Sequence, residues 1–365
     1  MTSQDTPRSF ATRATHLANI PGFSAVPIYM GAVNEGEYTR DRNPTMDVLA
    51  NALTELEGGA MTVLSASGMA AISQTLMTLL HTGGRVIRHR TIYASTLALL
   101  EKVFERFGVT TDVVDLRDLA ALDEALKAPA AVVYGETISN PNMDVIDIAA
   151  VAERAHAAGA SLVIDSTFAT PYFCRPLEHG ADVVIHSATK YLCGHGDAIG
   201  GATICRDERF AKTLWDLMTL HGGSMSPFNA ALILRGIKTL PVRMEVHAAN
   251  AAKLAAFLKG HPKVTYVHYP GLPDDSEHAL AAKQFSGFSG MVGAGIDADQ
   301  AATEAFADRL TVAKHAPSLG DVHTLVTITR KWDPLAIAGS YARISVGLED
   351  AEDLIADFDQ ALRAI

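Results

Sequence analysis

Two ionisable residues directly follow apolar segments of the sequence. Lys190 ends the run Ser187-Ala188-Thr189-Lys190, just after Val183–Ile185, and Asp165 follows Leu162-Val163-Ile164. A lysine at the end of a buried strand can lose its charge through desolvation and act as an amine nucleophile. An aspartate in such a place can hold a proton on a heterocyclic nitrogen. A solvated loop lysine and a helix-capping aspartate are the alternatives for each residue taken alone.

Other residues have types that suit a phosphate or a flat ring. Ser67-Gly68-Met69 is typical of a loop that enters a helix, where Gly68 permits close approach and free N–H groups attract a phosphate. Arg40 could bind a phosphate through two hydrogen bonds, and Tyr93 could stack on a ring. The alternatives are an ordinary Ser-capped helix, a surface loop and a half-buried tyrosine.

One arginine lies inside a predicted strand of small and apolar residues. This is Arg343, within Ala342–Val346. Because a lone buried charge is costly, the guanidinium should have an acidic partner. That partner could be a substrate carboxylate or an acidic residue of the chain itself.

The segments that must position these residues alternate between strand-like and helix-like patterns from about residue 45 to residue 205. The predicted strands include Ala131–Tyr134, Ser161–Ile164 and Val183–Ile185, and the predicted helices include Leu97–Phe107 and Ile148–Ala158. This alternation predicts an α/β fold with a mostly parallel sheet. Ligands of such sheets bind beyond the carboxyl ends of the strands. Glu136, Asp165 and Ser187–Lys190 all fall at that edge.

The chain divides into three predicted parts. Residues 1–42 are rich in Pro and Gly and are expected to form an extended, irregular arm. Residues 43–236 form the predicted α/β domain. Residues 237–365 combine long helices with short strands and predict a smaller α+β domain.

Composition excludes several functions. The chain of 365 residues has a formal net charge of −11 and no Lys/Arg run, so we expect no binding to nucleic acid or to anionic membranes. Its three cysteines show no metal-ligand spacing, so we expect reduced thiols and no metal site. With no apolar signal segment, we expect a cytoplasmic protein. The Ser-, Thr- and Arg-containing start, Met1–Thr15, leaves a transit peptide as the alternative.

Taken together, the residues above resemble the Cys/Met-metabolism family of enzymes that depend on pyridoxal 5'-phosphate (PLP). The resemblance covers nearly the whole chain in the order of the family's motifs. The motifs that carry it are Tyr38-x-Arg40 with Asn43-Pro44-Thr45, Leu56-Glu57-Gly58-Gly59, Ser67-Gly68-Met69-Ala70-Ala71-Ile72, Asn140-Pro141, Asp165-Ser166-Thr167-Phe168-Ala169-Thr170-Pro171, His186-Ser187-Ala188-Thr189-Lys190-Tyr191, Arg235-Gly236-Ile237-Lys238-Thr239-Leu240, Tyr269-Pro270-Gly271-Leu272, Ser318-Leu319-Gly320 and Arg343-Ile344-Ser345-Val346-Gly347-Leu348-Glu349-Asp350.

The resemblance implies PLP fold type I, similar to aspartate aminotransferase, and a homotetramer built from two dimers with shared active sites. It implies that Lys190 carries the cofactor and moves protons, and that Asp165 pairs with the ring nitrogen. Tyr93 would stack on the ring. The phosphate would be held by Gly68, Met69, Ser187 and Thr189, joined by Tyr38 and Arg40 from a neighbouring subunit. The substrate would meet Asn140, Ser318 and Arg343, the last through its α-carboxylate.

Within the family, Asn140-Pro141-Asn142-Met143 and Gly194-His195-Gly196-Asp197 are most similar to methionine γ-lyase. The predicted function is therefore that of a carbon–sulfur lyase acting by γ-elimination or γ-replacement on a methionine-, homocysteine- or cystathionine-type amino acid. Cystathionine γ-synthase, O-acylhomoserine sulfhydrylase and cystathionine β-lyase are the alternatives.

The chain also departs from the pattern of methionine γ-lyase. Ser95 stands where those enzymes have a cysteine. Ile138 replaces a usual proline and Ser166 a usual asparagine, and the loop after Ser318-Leu319-Gly320 is shortened into Arg330-Lys331-Trp332-Asp333-Pro334. Further differences on the substrate side are Met218, Thr219 and His323. The cofactor residues are intact while substrate-side residues differ, which leaves an unusual substrate open.

Two other classes of protein compete with this interpretation. A nicotinamide-dependent oxidoreductase would need a Gly-x-Gly-x-x-Gly between a strand and a helix, and the sequence has none. A PLP-binding protein without activity would not need Lys190, Tyr93 and Arg343 together. Both are therefore disfavoured.

Overall fold

Most strands of the protein belong to two sheets. The computed structural model describes residues 8–17, 25–34, 36–329 and 340–365. In chain order the strands of these residues are β1 (Val33–Asn34), β2 (Glu37–Tyr38), β3 (Met61–Ser65), β4 (Arg85–His89), β5 (Thr110–Val114), β6 (Val132–Glu136), β7 (Ser161–Asp165), β8 (Val183–Ser187), β9 (Gly201–Cys205), β10 (Val264–His268), β11 (Met291–Ile296), β12 (Lys314–His315), β13 (Leu325–Thr329) and β14 (Ser340–Ser345).

The helices of the same residues flank these strands. They are α1 (Phe10–His16), α2 (Pro44–Glu57), α3 (Gly68–Leu79), α4 (Ala94–Lys102), α5 (Leu119–Ala125), α6 (Ile148–Ala157), α7 (Thr170–Phe173), α8 (Glu208–His221), α9 (Pro227–Ile237), α10 (Leu240–Gly260), α11 (His278–Gln284), α12 (Gln300–Asp308) and α13 (Ala351–Arg363). Short 3₁₀ turns cover Phe104–Phe107 and Pro176–His179. In the part of the chain that the structure describes, no helix is both long and apolar enough to cross a bilayer.

Seven strands form the central sheet in the order β3-β9-β8-β7-β6-β4-β5. The five strands from β8 to β5 run parallel to one another, and β9 is antiparallel to both of its neighbours. Strands β6 and β9 are buried along their whole length because helices cover both faces of the sheet. The predicted α/β class with a mostly parallel sheet is confirmed.

Each face of the central sheet packs against its own set of helices. On one face, Ile164 and Val184 belong to a core with Leu53 of α2 and Ile233 of α9. On the other face, Val163 packs in a core with residues of α3, α4 and α8, among them Ile72, Leu97 and Leu214. Alternate residues of one strand therefore serve two different cores.

The second sheet follows later in the chain and has the order β10-β11-β14-β13-β12. Its pairs are antiparallel except β12 with β13. Helices α10, α12 and α13 cover it through Leu254, Phe306 and Phe358, which pack in one core with Ile344. This matches the predicted α+β region, while the domain boundaries at residues 42 and 236 stay predictions.

The amino-terminal arm is more regular than the sequence-based expectation. Helix α1 forms because the Ser9 side chain caps it and because Arg13 donates a hydrogen bond to the Glu55 carbonyl (3.1 Å). Strands β1 and β2 form a small hairpin. Beyond that hairpin, Trp215 Nε1 of α8 donates a hydrogen bond to the Asp41 carbonyl (3.1 Å). The arm is thus docked on α2 and α8 rather than irregular throughout.

Candidate active site

A cavity of about 400 Å³ lies at the carboxyl edge of the central sheet, where the second sheet closes over it. It brings together most of the predicted site residues, which come from both sheets. Those that line it are Gly68, Met69, Tyr93, Asn140, Asp165, Ser187, Thr189, Lys190, Ser318 and Arg343.

Lys190 lies in the turn that follows β8. Its main-chain N–H donates to the Ser187 carbonyl (3.1 Å), and its Nζ donates to the Ser318 hydroxyl (2.6 Å). Burial, followed by the positive charge of Arg343, lowers the pKa of Lys190 below its usual value of 10.5. A lysine with a lowered pKa is neutral more of the time, which is the form that attacks a carbonyl or accepts a proton.

Ser318 reaches Lys190 because Gly320 allows a close approach of the two segments. A Cβ on Gly320 would lie 2.5 Å from Tyr191 N, and the backbone of Gly320 has φ +72°. Neither a side chain nor an ordinary backbone angle would be tolerated there. The Ser-Leu-Gly segment therefore fits against the lysine only with glycine at its third position.

Asp165 is the last residue of β7 and is nearly buried. Its Oδ1 accepts a hydrogen bond from Thr167 N (2.9 Å). Burial raises the pKa of Asp165, against hydrogen bonds from Thr167 and the charge of His186. A cationic nitrogen beside this carboxylate would offset the cost of burying its charge.

The start of α3 forms a cradle beside the turn of Lys190. Ser67 caps the helix by accepting from Ala70 N (3.1 Å). A Cβ on Gly68 would lie 2.7 Å from both the Cβ and the Oγ of Ser187, so only glycine fits. Free N–H groups at a helix start, next to the hydroxyls of Ser187 and Thr189, suit a phosphate. With Asp165, Lys190 and the partly exposed ring of Tyr93, this donor set fits PLP.

Arg343 projects from β14 into the same cavity. Its Nη1 donates to Asn140 Oδ1 (2.9 Å), and its Nη2 donates to the Ser318 carbonyl (3.0 Å) and to Thr327 Oγ1 (3.2 Å). All of these acceptors are neutral, and within the described residues no carboxylate forms an ion pair with Arg343. Its Nε is buried without a partner. The internal acid that the sequence left open is therefore not found, and a substrate carboxylate fits this guanidinium.

Sequence reasoning missed several residues of the cavity wall. Glu136 was recognised as a strand-end residue but was given no role, although its position beside Asp165 in the sheet register was a usable signal. Ile138 was noted only as a departure from the family. Pro317 and Leu319 flank Ser318, and Thr327 faces Arg343. No local pattern distinguishes Pro317 and Thr327 from ordinary loop and strand residues, whereas Leu319 lies within the motif Ser318-Leu319-Gly320.

Tyr38 and Arg40 do not line the cavity of their own chain. Tyr38 lines a separate, larger cavity of about 1190 Å³ between the arm, α2 and α8. Arg40 forms an ion pair with Asp41 (3.2 Å), and its guanidinium lies 5.1 Å from the centre of the Tyr38 ring. Both side chains are largely exposed.

Among the departures from the family pattern, Ile138 lines this cavity, whereas Ser95, Met218, Thr219 and His323 lie outside its wall. Met218 lines the larger cavity, and Ser95, Thr219 and His323 line neither of the two. Their effect on substrate choice stays a prediction. The shortened loop at residues 330–334 lies outside the described residues.

Comparison with known proteins agrees with this geometry. The family model described as "Cys/Met metabolism PLP-dependent enzyme" matches residues 23–363. The chain is 40% identical to L-methionine gamma-lyase of Pseudomonas putida, over 97% of both chains. It is 39% identical to O-succinylhomoserine sulfhydrylase of Pseudomonas aeruginosa, over 92% of this chain and 86% of the relative. The solved structure of cystathionine gamma synthase from Xanthomonas oryzae pv. oryzae, in complex with aminoacrylate and cysteine, superposes with a TM-score of 0.94 at 35% identity, over 98% of each chain.

Proposed function

The chain belongs to the Cys/Met-metabolism family of PLP-dependent enzymes, and we propose that within this family it is a carbon–sulfur lyase acting on a methionine- or homocysteine-type amino acid. One observation carries the proposal. The cavity wall combines Arg343, whose hydrogen-bond partners among the described residues are all neutral, with an apolar surface made by Ile138, Pro317 and Leu319. An amino acid whose α-carboxylate meets Arg343 would place an uncharged side chain against that surface.

The charges of the wall support a short substrate over a long one. In the described wall the charged residues are Lys190, Asp165, Glu136 and Arg343. Cystathionine carries a second ammonium and a second carboxylate at its far end, and each would need a partner of its own in a buried cavity. Methionine carries no charge there. We therefore rank methionine and homocysteine above cystathionine.

The residues that would hold PLP follow from the cradle and the strand ends. Gly68, Met69, Ser187 and Thr189 would hold its phosphate, and Asp165 would keep its ring nitrogen protonated. Lys190 would carry the cofactor, and Tyr93 would flank the ring. When bound, PLP acts as an electron sink for the bonds at Cα of the amino acid.

Proton movements in this proposal belong to Lys190 and Tyr93. Nζ of Lys190 would take a proton from Cα and pass it on to the cofactor, so that the amine, neutral again, can accept a second proton from Cβ before a thiol departs from Cγ. The lowered pKa of Lys190 suits both transfers, because a neutral amine is the base. Tyr93 lies in the same cavity and would assist at the departing sulfur.

A γ-replacement transferase is the second candidate. The 39% identity with an O-succinylhomoserine sulfhydrylase favours it, because that relative is named for joining a sulfur donor to an activated homoserine. A cystathionine β-lyase is the third candidate and would differ in needing no proton removal at Cβ.

We also propose a cytoplasmic homotetramer made of two dimers, in which each dimer shares its active sites. The support for sharing is that Tyr38 and Arg40 are exposed and lie outside their own cavity. Exposed apolar side chains of Ile199, Leu220 and Phe228 are consistent with burial against a second copy.

The test is a substrate screen with the PLP-loaded enzyme. Release of 2-oxo acid, ammonia and thiol is measured from methionine, homocysteine, cystathionine and O-acetylhomoserine, with Lys190→Ala as the inactive control. We expect the highest turnover with methionine or homocysteine. In deuterated water, γ chemistry introduces deuterium at Cβ of the unreacted substrate recovered part-way through the reaction, because the Cβ proton is removed before the thiol departs.

Three outcomes would overturn parts of this proposal. Product formation by Lys190→Ala at the rate of the parent would remove the lysine from its role. A higher rate with O-acetylhomoserine plus a thiol than with methionine would favour the transferase. Deuterium at Cα but never at Cβ of the recovered, unreacted substrate, with every amino acid tested, would favour the β-lyase.

A further inference from the structure

A buried carboxylate without an assigned role lies in the wall of the Lys190 cavity. Glu136 is the last residue of β6, and only 5% of its surface is exposed. Its Oε1 accepts a hydrogen bond from Tyr93 N (2.7 Å), and its Oε2 accepts one from Asn140 N (2.8 Å). One side chain thus holds the main chains of two segments that each carry a predicted site residue.

The contact with Tyr93 replaces a missing helix cap. Tyr93 is the N-cap residue of α4, and its own side chain does not cap the helix. In many helices a glutamate three residues along reaches back to the N-cap N–H. In α4 that position is Thr96, so Glu136 of the neighbouring strand supplies the acceptor. The position of Tyr93 therefore depends on Glu136.

Through Asn140, Glu136 is also linked to Arg343. Asn140 Oδ1 accepts a hydrogen bond from Arg343 Nη1 (2.9 Å). An unbroken series of hydrogen bonds therefore joins the main chain of Tyr93, through Glu136 and Asn140, to the guanidinium of Arg343. Glu136 therefore connects the side of the cavity near Tyr93 with the side near Arg343.

A second carboxylate joins the same two segments behind the cavity. Asp144 Oδ2 accepts from Thr91 Oγ1 (3.0 Å), and it forms ion pairs with Arg90 and Arg117 (both 3.1 Å). It does not line the Lys190 cavity. Asp144 therefore provides an internal comparison: it stabilises the same segments without touching the site.

Only a carboxylate can make both contacts of Glu136. An amide side chain has one acceptor oxygen, and its NH₂ group would face the second main-chain N–H. Ionisation of Glu136 in this place costs free energy, since burial and then the charge of Asp165 raise the pKa of Glu136 well above its usual value. The N–H groups of Tyr93 and Asn140 and the charge of Arg343 oppose that rise.

We propose that Glu136 is a positioning residue of this active site, which holds the Asn140–Arg343 pair at a fixed place relative to Tyr93. Its effect reaches the substrate through the α-carboxylate that Arg343 binds. The inference rests on the proposed function, because it assumes an amino-acid ligand in the cavity.

The test compares two ligands that the enzyme cannot cleave. Norleucine has the shape of methionine but no sulfur, and pentylamine is norleucine without its carboxylate. Binding to the PLP-loaded enzyme is followed through the visible absorbance of the cofactor. In Glu136→Gln we expect norleucine to bind about tenfold more weakly, while pentylamine changes by less than about twofold. Glu136→Asp keeps two acceptor oxygens on a shorter side chain and should fall between the parent and Glu136→Gln.

Matched variants separate positioning from stability. Glu101→Gln changes an exposed glutamate of α4 and should leave both ligands unaffected. Asp144→Asn should lower the melting temperature and weaken both ligands to the same extent. If both Glu136 variants weaken norleucine and pentylamine equally, or weaken neither, the inference is wrong. If instead the parent cleaves none of the amino acids screened, the proposed function fails independently of Glu136.

Discussion

The amine of Lys190 donates a 2.6 Å hydrogen bond to the hydroxyl of Ser318, whose backbone has φ +98°. Residues other than glycine rarely adopt a positive φ, so this conformation is strained. The carbonyl of Ser318 also accepts a hydrogen bond from Arg343. A strained residue therefore contacts both Lys190 and Arg343.

Two substitutions at Ser318 should separate the hydroxyl from the strain. Ser318→Ala removes the hydroxyl and keeps the strain, whereas Ser318→Gly removes both. We expect turnover to fall about tenfold in both variants, since each loses the hydrogen bond to Lys190. Ser318→Gly should be more stable than Ser318→Ala by about 1 kcal/mol, because glycine adopts a positive φ at little cost. Steady-state kinetics and thermal melts measure the two effects. Parent-like turnover of Ser318→Ala would show that the hydroxyl contact is unimportant.

Asp165→Asn should leave the fold intact and lower turnover by about two orders of magnitude or more, since a neutral amide cannot hold a proton on the cofactor ring. The PLP content should stay near that of the parent, because the phosphate contacts are untouched. Asp182→Asn is the matched control. Asp182 accepts a hydrogen bond from Leu162 N (2.8 Å) at the opposite end of β7. The Asp182→Asn substitution should reduce stability without changing turnover per bound PLP. Equal turnover of Asp165→Asn and the parent would place the nitrogen partner elsewhere.

Mixing two inactive variants should restore activity if subunits share their sites. Arg40→Ala and Lys190→Ala are each expected to be inactive, for different reasons. A mixed dimer contains one site with both residues intact, so random exchange should recover about a quarter of the parent activity. Exchange is verified by native mass spectrometry, and each variant remixed with itself is the control. Mixed dimers without activity would mean that Arg40 does not act across subunits.

A buried histidine should make stability depend on pH. His247 donates through Nδ1 to the Val346 carbonyl (2.7 Å), and its ring packs edge-on against Tyr191. Burial lowers the pKa of His247 from 6.5 to about 4, with the charge of Arg243 adding to the effect and that of Asp321 opposing it. The fold prefers the neutral ring. The stability that His247 contributes is therefore fully present above about pH 6.5 and is lost as the pH falls towards 4.

The contribution of His247 should amount to about 3 kcal/mol between these pH values. His247→Asn, which keeps a donor for the Val346 carbonyl, should be less stable than the parent at pH 7 but lose less stability on acidification. Denaturant unfolding at several pH values measures the difference. If the unfolding free energy of His247→Asn falls with acidification as steeply as that of the parent, other groups cause the acid sensitivity.

The residues at the carboxyl edge of the sheet could be predicted from the sequence, because parallel strands all end at the same edge. Asp165 ends β7 and Lys190 follows β8, two strands that are neighbours in the sheet, and both residues line one cavity. The fold class, the cofactor and the enzyme class were likewise recognised from the motifs and are confirmed. These features depend on local patterns that repeat in a fixed order along the chain.

Other features depend on tertiary contacts that a local sequence pattern does not predict. Glu136 holds Tyr93, which lies 43 positions earlier, and a strand-end glutamate gives no sign of such a partner. Helix α1 was missed because one capping hydroxyl and a contact with α2 stabilise a segment of only seven residues. The helix predicted over Leu97–Phe107 is divided at Val103, whose φ of −113° ends the regular α-helix and precedes the 3₁₀ turn Phe104–Phe107. In each case a tertiary contact or a single backbone angle decides the outcome.

The hydrogen bond from Trp215 to the Asp41 carbonyl gives the protein a built-in optical reporter. Indole emission responds to the loss of a hydrogen bond and to entry of water, and Asp41 is the immediate neighbour of Arg40. Replacing the second tryptophan, Trp332, with phenylalanine would leave Trp215 as the only tryptophan of the chain. Its fluorescence would then follow the undocking of the arm in real time, without a label and without substrate.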